Sequence, residues 1–417
     1  MKIHFIGIEG VGMRFLAELC KEFALVSGSD LKLKGHDASF VDGADLVVKS
    51  QAIGDDNPEI VEAKKQKIPV TDRAELLSFI MSGYKKTIAV AGTHGKTTVS
   101  AMLAYALRQL KPTAAIGGGI DGKIGIKGSK NVFIAEACEY KKSFLRMSAD
   151  IGVILNVEWE HVDCYGTKSE VLQAFKAFAD RCKTVFTTKS LKESGIKGKE
   201  QTITFGFDCD CDYCGKTENG RLVLYRGGRA TDVANLKVSG SYNCFNALAA
   251  LSVADAIGVK GGEGLSEFCG VDRRMQTLAT VNNVTYISDY AHHPTEIECS
   301  LSAAKEKHRK TLVVFQPHTY SRTAVFCRSI AAALKKSDYV IVLPVYAARE
   351  KFVNGVNDLI SEIGNFAKAN DFGQARLLID GVKDVDAVIF MGAGDVNDFA
   401  EAYVGKLLSN VDTGAKM

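Results

Sequence analysis

Residues 91–98 read AGTHGKTT and follow the apolar run KTIAV, which is typical of a buried strand. A helical pattern follows from Thr97 to about Leu110. Glycines at 92 and 95 let backbone amides approach a phosphate, and the positive end of the helix favours an anion. Lys96 can neutralise phosphate charge, and the Thr97 hydroxyl can bind Mg²⁺. The stretch therefore predicts a nucleotide phosphate loop in a parallel α/β sheet.

The loop is a variant of the common sequence G-x-x-x-x-G-K-[ST], because Val90 stands where the first glycine is expected. The alternative interpretation is a glycine-rich turn that carries a surface lysine. The strand before the loop and the helix after it favour phosphate binding.

The composition of the 417 residues is that of an ordinary globular protein, with 46% hydrophobic residues, 24% charged residues and a net charge of +3. We therefore expect the chain neither to bind nucleic acid nor to insert into a membrane. The chain opens directly on a strand-like run, and its 11 cysteines are an odd number scattered over the sequence. These features predict reduced thiols and a cytoplasmic location. A monomer or a homodimer is expected.

Strand-like and helical segments alternate along the whole chain, which predicts an α/β fold with parallel sheets. New series of strands begin near residue 86 and near residue 272. We therefore predict three domains, at 1–84, 85–271 and 272–417.

The variant loop GTHGKTT resembles that of the Mur ligase family, and six further motifs in the expected order carry the same resemblance. They are EACEY (136–140), N-x-x-x-x-H-x-D (156–163), N-x-x-N (243–246), the arginine pair 273–274, YAHHPTE (290–296) and FQPHTYSRT (315–323). The resemblance implies a Rossmann-like N-terminal domain, a central P-loop ATPase-like domain with a parallel or mixed sheet, and a Rossmann-like C-terminal domain. It also implies amide-bond formation through an acyl phosphate, with release of ADP and phosphate.

The resemblance assigns residues to ATP and to a metal ion. The ATP set is Gly92, Thr93, His94, Gly95, Lys96, Thr97, Thr98, Asn243, Asn246, Arg274 and Asp289. Asn243 and Asn246 would contact adenine, Asp289 the ribose, and Arg274 the γ-phosphate when the domains close. From spacing alone, Asn243 could equally be a helix N-cap. Thr97, Glu136 and His161 would hold Mg²⁺, with Mn²⁺ as the alternative ion.

The segments 290–297 and 315–323 are the most specific in the chain, and they imply L-alanine as the incoming amino acid. Tyr290, His292, His318 and Arg322 would bind it, with Arg322 on its carboxylate and His292 also in a catalytic role beside Lys96 and Arg274. Two residues depart from the family pattern: Thr319 replaces a common Arg, and Ser288 a common Asp. Zinc is the weaker alternative, because these histidines lack the usual ligand spacing.

The turn GIEGVG (7–12) follows the first strand and would hold the diphosphate of the second substrate, UDP-N-acetylmuramate. The residues assigned to it are Gly7, Gly10, Gly12, Met13 and Asp30. A glycine-rich turn followed by an acidic residue also fits an NAD enzyme. A dehydrogenase, however, has no need of a second nucleotide loop.

Three other functions stay open at this point. One is a ligase that attaches a whole tripeptide to the same sugar nucleotide, one is a P-loop switch or motor, and one is a non-catalytic sugar-nucleotide binder. The run CDCDYC (209–214) could bind metal, although reduced surface thiols are the preferred interpretation.

Overall fold

The computed structural model describes residues 1–120, 122–208, 210–348, 350–351 and 367–414. The fold is α/β with three separate sheets, which confirms the predicted fold class. By their contacts the residues form two compact units. The first unit comprises Met1–Glu160, Cys164–Lys237 and Cys244–Cys269, and the second comprises His161–Asp163, Val238–Asn243 and Gly270–Met417.

The N-terminal sheet has four parallel strands in the order β2-β1-β3-β4. Its strands are β1 (Lys2–Ile6), β2 (Leu25–Ser29), β3 (Leu46–Lys49) and β4 (Val70–Asp72). The helices are α1 (Val11–Cys20), α2 (Pro58–Lys65) and α3 (Arg73–Met81), and a 3₁₀ turn spans Ala38–Val41. β1 leads through the turn 7–10 into α1, and β4 leads directly into α3, so the first residues of both helices lie at one edge of the parallel sheet.

A buried polar cluster joins four segments of this domain: β1, β2, the loop after β2, and α2. The Glu59 carboxylate is fully buried and lies 2.6 Å from His4 Nε2 and 2.7 Å from His36 Nδ1, and the Ser29 hydroxyl donates to it at 2.7 Å. Burial by itself raises the pKa of Glu59, but these hydrogen bonds outweigh it and hold the pKa below its ordinary value.

The central sheet has nine strands in the order β13-β12-β11-β10-β9-β8-β5-β7-β6. They are β5 (Lys86–Ala91), β6 (Thr113–Ala115), β7 (Val132–Glu136), β8 (Ala149–Ile154), β9 (Cys182–Thr187), β10 (Gln201–Gly206), β11 (Tyr213–Glu218), β12 (Arg221–Arg226) and β13 (Arg229–Ala234). The helices are α4 (Lys96–Ala106), α5 (Lys168–Ala179), α6 (Lys189–Glu193), α7 (Ser241–Ala256) and α8 (Gly262–Leu265), with 3₁₀ turns at Arg108–Leu110 and Tyr140–Arg146. Strands β11 to β13 are antiparallel neighbours, so the sheet is mixed.

The C-terminal sheet has six strands in the order β14-β15-β19-β16-β17-β18. They are β14 (Gln276–Val281), β15 (Val284–Asp289), β16 (Thr311–Phe315), β17 (Tyr339–Val342), β18 (Ala367–Lys368) and β19 (Ala387–Met391). The helices are α9 (Pro294–Lys305), α10 (Tyr320–Leu334), α11 (Phe372–Gly381) and α12 (Val396–Gly414). β15 and β16 flank β19, so the segments that follow them leave the sheet at the same edge.

The structure differs from the sequence-based expectations in three places. Helix α4 ends at Ala106, and a 3₁₀ turn continues to Leu110. The hairpin strands β11 to β13 and the strand β14 were not predicted, because six-residue strands with several exposed residues have weak periodicity. The domain boundaries near 84 and 272 stay a prediction.

None of the helices in the described ranges is long and apolar enough to cross a membrane.

Candidate functional site

The phosphate loop, residues 91–98, connects the carboxyl end of β5 to α4. Gly92 and Gly95 have φ angles of +152° and +85°, which side chains rarely adopt. A Cβ on Gly95 would lie 2.8 Å from Asn246 Oδ1, and one on Gly92 would lie 3.1 Å from Leu155 Cβ. Gly95 caps α4 without a side-chain hydrogen bond, so the first-turn amides stay available to an anion.

Asn156 holds the loop in place, a role that the sequence did not reveal. Its Oδ1 accepts from the amide of His94 at 2.8 Å, and its Nδ2 donates to the His94 carbonyl at 3.0 Å. The Thr93 hydroxyl bonds the main chain of Glu158, and the amide of Thr93 donates to the Asn156 carbonyl. The segment after β8 therefore holds His94 through its main chain and Thr93 through both its main chain and its hydroxyl, which positions the loop.

The Lys96 ammonium points back into the loop and meets a buried carboxylate. It donates to the carbonyls of Gly92 at 2.5 Å and Thr93 at 3.2 Å, and to both Glu139 oxygens at 3.0 and 2.8 Å. Burial opposes the charge on Lys96, but the Glu139 carboxylate outweighs it and raises the pKa of Lys96. Sequence reasoning missed Glu139, although it belongs to EACEY.

Thr97 and Glu136 meet next to the loop, as the sequence predicted. The Thr97 hydroxyl donates to Glu136 Oε2 at 3.2 Å, and the Gly117 amide donates to Glu136 Oε1. Glu136 ends β7, which pairs in parallel with β5. A hydroxyl and a carboxylate are hard oxygen donors that suit Mg²⁺. These two residues therefore fit the implied ion. His161 has a left-handed backbone, with φ +54°, in the segment that groups with the second unit.

Asn243 and Asn246 both lie on α7 and are nearly buried. The helix begins at Ser241, and the Asn243 amide group donates to the Ser239 carbonyl at 2.7 Å. Asn243 is therefore not the N-cap, and that alternative is wrong. Asn246 lies against Gly95, which brings one of the two predicted adenine ligands to the phosphate loop.

In the second unit, Asp289 and Arg274 are engaged by neighbouring groups. The buried Asp289 carboxylate accepts from the amides of Ala291 and Met275 and from the Ser300 hydroxyl. Burial raises the pKa of Asp289, and the Arg274 charge opposes that effect. The Arg274 guanidinium lies over the Tyr290 ring, 5.1 Å from its centroid, with Glu296 at 3.5 Å.

The predicted amino-acid ligands come together as one group in this unit, here called the C-terminal cluster: Tyr290, His292, His318 and Arg322. The His292 ring lies 5.5 Å from the Tyr290 ring and 5.7 Å from the His318 ring. Arg322 Nη1 lies 2.8 Å from His318 Nδ1. A guanidinium only donates, so that nitrogen of His318 is the acceptor and carries no proton. A cation bound there opposes a zinc ion at His318.

Tyr346 belongs to the same cluster and was not predicted. Its ring stacks on His318 with centroids 5.6 Å apart, and its carbonyl accepts from the Thr319 amide. Thr319 has φ +63°, an outlier for a β-branched residue. The second histidine of the pair, His293, caps α9 in a capping box with Glu296. Its position is therefore explained by local structure.

The glycine turn 7–12 lies between β1 and α1. Gly7 has φ +82°, and Gly10 caps α1 without a side-chain hydrogen bond. Asp30 accepts from the Glu9 amide at 3.1 Å, so it joins this turn. The Met13 side chain is packed in the core and its amide donates to the Gly10 carbonyl, so Met13 offers no side-chain contact to a ligand.

The cysteines of the run 209–214 do not share one environment. Cys214 is buried in β11, so the prediction of a surface thiol is wrong for it. Cys211 is half-buried, and Cys209 lies outside the described residues.

Three family models match the chain in succession: "Mur ligase family, catalytic domain" at residues 2–85, "Mur ligase middle domain" at 90–254 and "Mur ligase, glutamate ligase domain" at 273–394. A UDP-N-acetylmuramate–L-alanine ligase of Clostridium botulinum (strain Loch Maree / Type A3) is 38% identical over 449 aligned residues, which cover 96% of this chain and 97% of that protein. The ligase of the same name from Caldanaerobacter subterraneus subsp. tengcongensis is 36% identical, with 97% of each chain covered.

Among solved structures, a UDP-N-acetylmuramate-alanine ligase from Thermotoga maritima superposes with a TM-score of 0.82 at 29% identity, and covers 98% of this chain and 100% of its own. A murein peptide ligase from Psychrobacter arcticus 273-4 has a TM-score of 0.74 at 22% identity, with 98% of each chain covered, and this likeness shows the fold alone.

Proposed function

This chain belongs to the Mur ligase family and is an ATP-dependent ligase, and we infer that it joins L-alanine to the carboxylate of UDP-N-acetylmuramate. The observation that carries this inference is the similarity, over 96% of the chain, to relatives that bear that name. The loop lysine, the Thr97–Glu136 pair and the C-terminal cluster supply the chemical groups that such a reaction needs.

The first step transfers the γ-phosphoryl group of ATP to the muramoyl carboxylate. The bond between the β–γ bridging oxygen and the γ-phosphorus breaks, a carboxylate oxygen forms the new bond to phosphorus, and ADP leaves. In the proposal, the loop amides and Lys96 hold the phosphates and stabilise the charge that develops on them. Thr97 and Glu136, with His161 as the third ligand, would hold Mg²⁺, which neutralises phosphate charge when bound.

The second step forms the amide. The neutral amine of L-alanine attacks the acyl carbon, phosphate leaves, and the amine loses a proton. Arg322 provides a planar fork for the alanine carboxylate, and His292 lies in the same cluster to contact the amine or the carboxylate. Arg274 is proposed to contact the γ-phosphate, Asn243 and Asn246 adenine, and Asp289 the ribose.

The sugar nucleotide is proposed to bind at the glycine turn 7–12. First-turn amides of α1 without a side-chain cap favour a diphosphate. The cytoplasmic location stays a prediction.

The test measures phosphate release with ATP, Mg²⁺ and UDP-N-acetylmuramate, and compares L-alanine, glycine, L-serine and L-alanyl-γ-D-glutamyl-diaminopimelate. Release that requires both the sugar nucleotide and L-alanine is expected. Release with the tripeptide alone would assign the chain to tripeptide attachment instead. Lys96→Ala should abolish turnover and keep sugar-nucleotide binding, and unchanged turnover would refute the mechanism.

A further inference from the structure

Arg73 is the first residue of α3, and its side chain reaches the first turn of α1. A Cβ placed on Gly12 would lie 2.5 Å from Arg73 Nε, 2.6 Å from Cζ and 2.7 Å from Nη2. The guanidinium therefore rests directly on the Gly12 main chain. A side chain at position 12 would force the guanidinium to move away, since real Cβ atoms essentially never come so close.

The Arg73 guanidinium makes no hydrogen bond or ion pair to any residue that the structure describes, and its Nε is buried without a partner. The acidic residues next to Arg73 in sequence form their hydrogen bonds and ion pairs with other groups. Asp72 pairs with Arg146 and accepts from the amides of Ala74 and Glu75, and the Glu75 carboxylate accepts from the Thr71 hydroxyl. A half-buried cation without an acceptor is costly in a folded protein.

The local field adds to this cost. Arg73 touches the N-terminal turn of α1, which has no side-chain cap and carries partial positive charge, whereas the N-terminus of α3 is capped by the Asp72 carboxylate. Two positive sources, the guanidinium and the first turn of α1, thus lie next to each other at the edge of the N-terminal sheet. An anion that accepts hydrogen bonds from the guanidinium and from the uncapped amides of α1 would neutralise this positive charge.

We propose that Arg73 binds the diphosphate of the UDP-sugar, together with the turn 7–12. This inference rests on the proposed function, which places a UDP-sugar at that turn. A guanidinium forms two parallel hydrogen bonds to phosphate oxygens, and this geometry suits a diphosphate better than it suits a lone carboxylate. Arg73 is thereby a binding residue for the nucleoside diphosphate class, contributed by α3.

The experiment is calorimetric titration of the whole chain with UDP, uridine and ATP. Arg73→Met keeps the apolar stem and removes the charge, and Arg73→Lys keeps the charge without the fork. Arg229→Ala is the matched control, because Arg229 is an exposed arginine of the same unit. We expect Arg73→Met to raise the Kd for UDP at least tenfold, Arg73→Lys to raise it by a smaller factor, and Arg229→Ala to leave it unchanged. The Kd values for uridine and ATP should change less than twofold.

Thermal unfolding separates this role from a structural one. Arg73→Met without ligand should unfold at the wild-type temperature or above it, because the variant removes an unpaired charge, but UDP should no longer raise that temperature. Gly12→Ala should weaken UDP binding by a similar factor, since the new methyl group displaces the guanidinium.

Three results would overturn the inference. They are wild-type UDP affinity in Arg73→Met, an equal loss of uridine or ATP binding, and a lower unfolding temperature without ligand. A wild-type chain that binds ATP and no UDP would refute the proposed function as well. A wild-type chain that turns over as proposed, with a fully active Arg73→Met variant, would refute this inference alone.

Discussion

Lys96→Met is expected to lower stability as well as abolish turnover, because it removes the ammonium that donates to both oxygens of the buried Glu139 carboxylate. The carboxylate is only 3% exposed and the lysine side chain 15% exposed. Removing one member of a buried pair costs about 3–5 kcal/mol. Since the lysine end is partly accessible, we take the lower value, about 3 kcal/mol. For units of this size that corresponds to a fall of roughly 6–12 °C in unfolding temperature.

The double variant Lys96→Met/Glu139→Gln distinguishes the lost charge pair from lost packing. With a neutral pair of similar volume, the free energy of unfolding should lie within about 1 kcal/mol of the wild-type value. Turnover should stay absent because the loop lysine is gone. Stability is measured by scanning calorimetry, on the unfolding transition whose temperature ATP changes. Turnover is measured separately as phosphate release. Lys183→Met is the control, because the Lys183–Asp150 pair lies at the surface, 61% and 26% exposed, and such pairs contribute about 0–1 kcal/mol. A double variant as unstable as Lys96→Met, or a single variant no less stable than Lys183→Met, would refute the reasoning.

Three further substitutions test other parts of the molecule. Glu136→Gln should raise the Mg²⁺ concentration for half-maximal phosphate release at least tenfold, as measured by metal titration, and an unchanged midpoint would contradict the metal assignment. Arg322→Lys should raise the KM for L-alanine about tenfold because it loses the planar fork, with the KM for ATP unchanged; an equal change in both would count against the assignment. Glu59→Gln should unfold at a lower temperature than wild type at pH 7. Because the folded-state pKa of Glu59 is lowered, that difference should shrink once the pH falls below 4.5 and through the lowered value; a difference constant with pH would argue against the carboxylate as its source.

The phosphate loop illustrates what local sequence predicts well. Glycine at 92 and 95 predicted the turn, and both glycines adopt backbone angles that side chains rarely reach. The resemblance also named Thr97 and Glu136 together, and the structure brings them into contact because the parallel neighbours β5 and β7 place their carboxyl ends at one edge. The C-terminal cluster was expected from the family resemblance of two segments, and these follow β15 and β16, the strands on either side of β19.

Other features had no local signal. Asn243 fits an N-cap by spacing, yet the helix begins two residues earlier and the side chain donates instead of accepting. Cys214 belongs to a polar run but is buried, because the unpredicted strand β11 places it there. Short strands of an antiparallel hairpin depend on their neighbours more than on their own residues.

The sequence by itself determined the alternation of strands and helices apart from β11 to β14, the loop and its glycines, and the residue types available for phosphate and metal, since these depend on backbone sterics and on periodicity within a few residues. Only the tertiary structure decided which side chains meet. Glu139 pairs with Lys96, 43 residues away in the sequence, and Asn156 forms hydrogen bonds with His94, 62 residues away. Arg73 rests on Gly12 because two βα turns share one edge of the sheet. Such pairs depend on the packing of whole elements, and no short-range pattern in the chain specifies them.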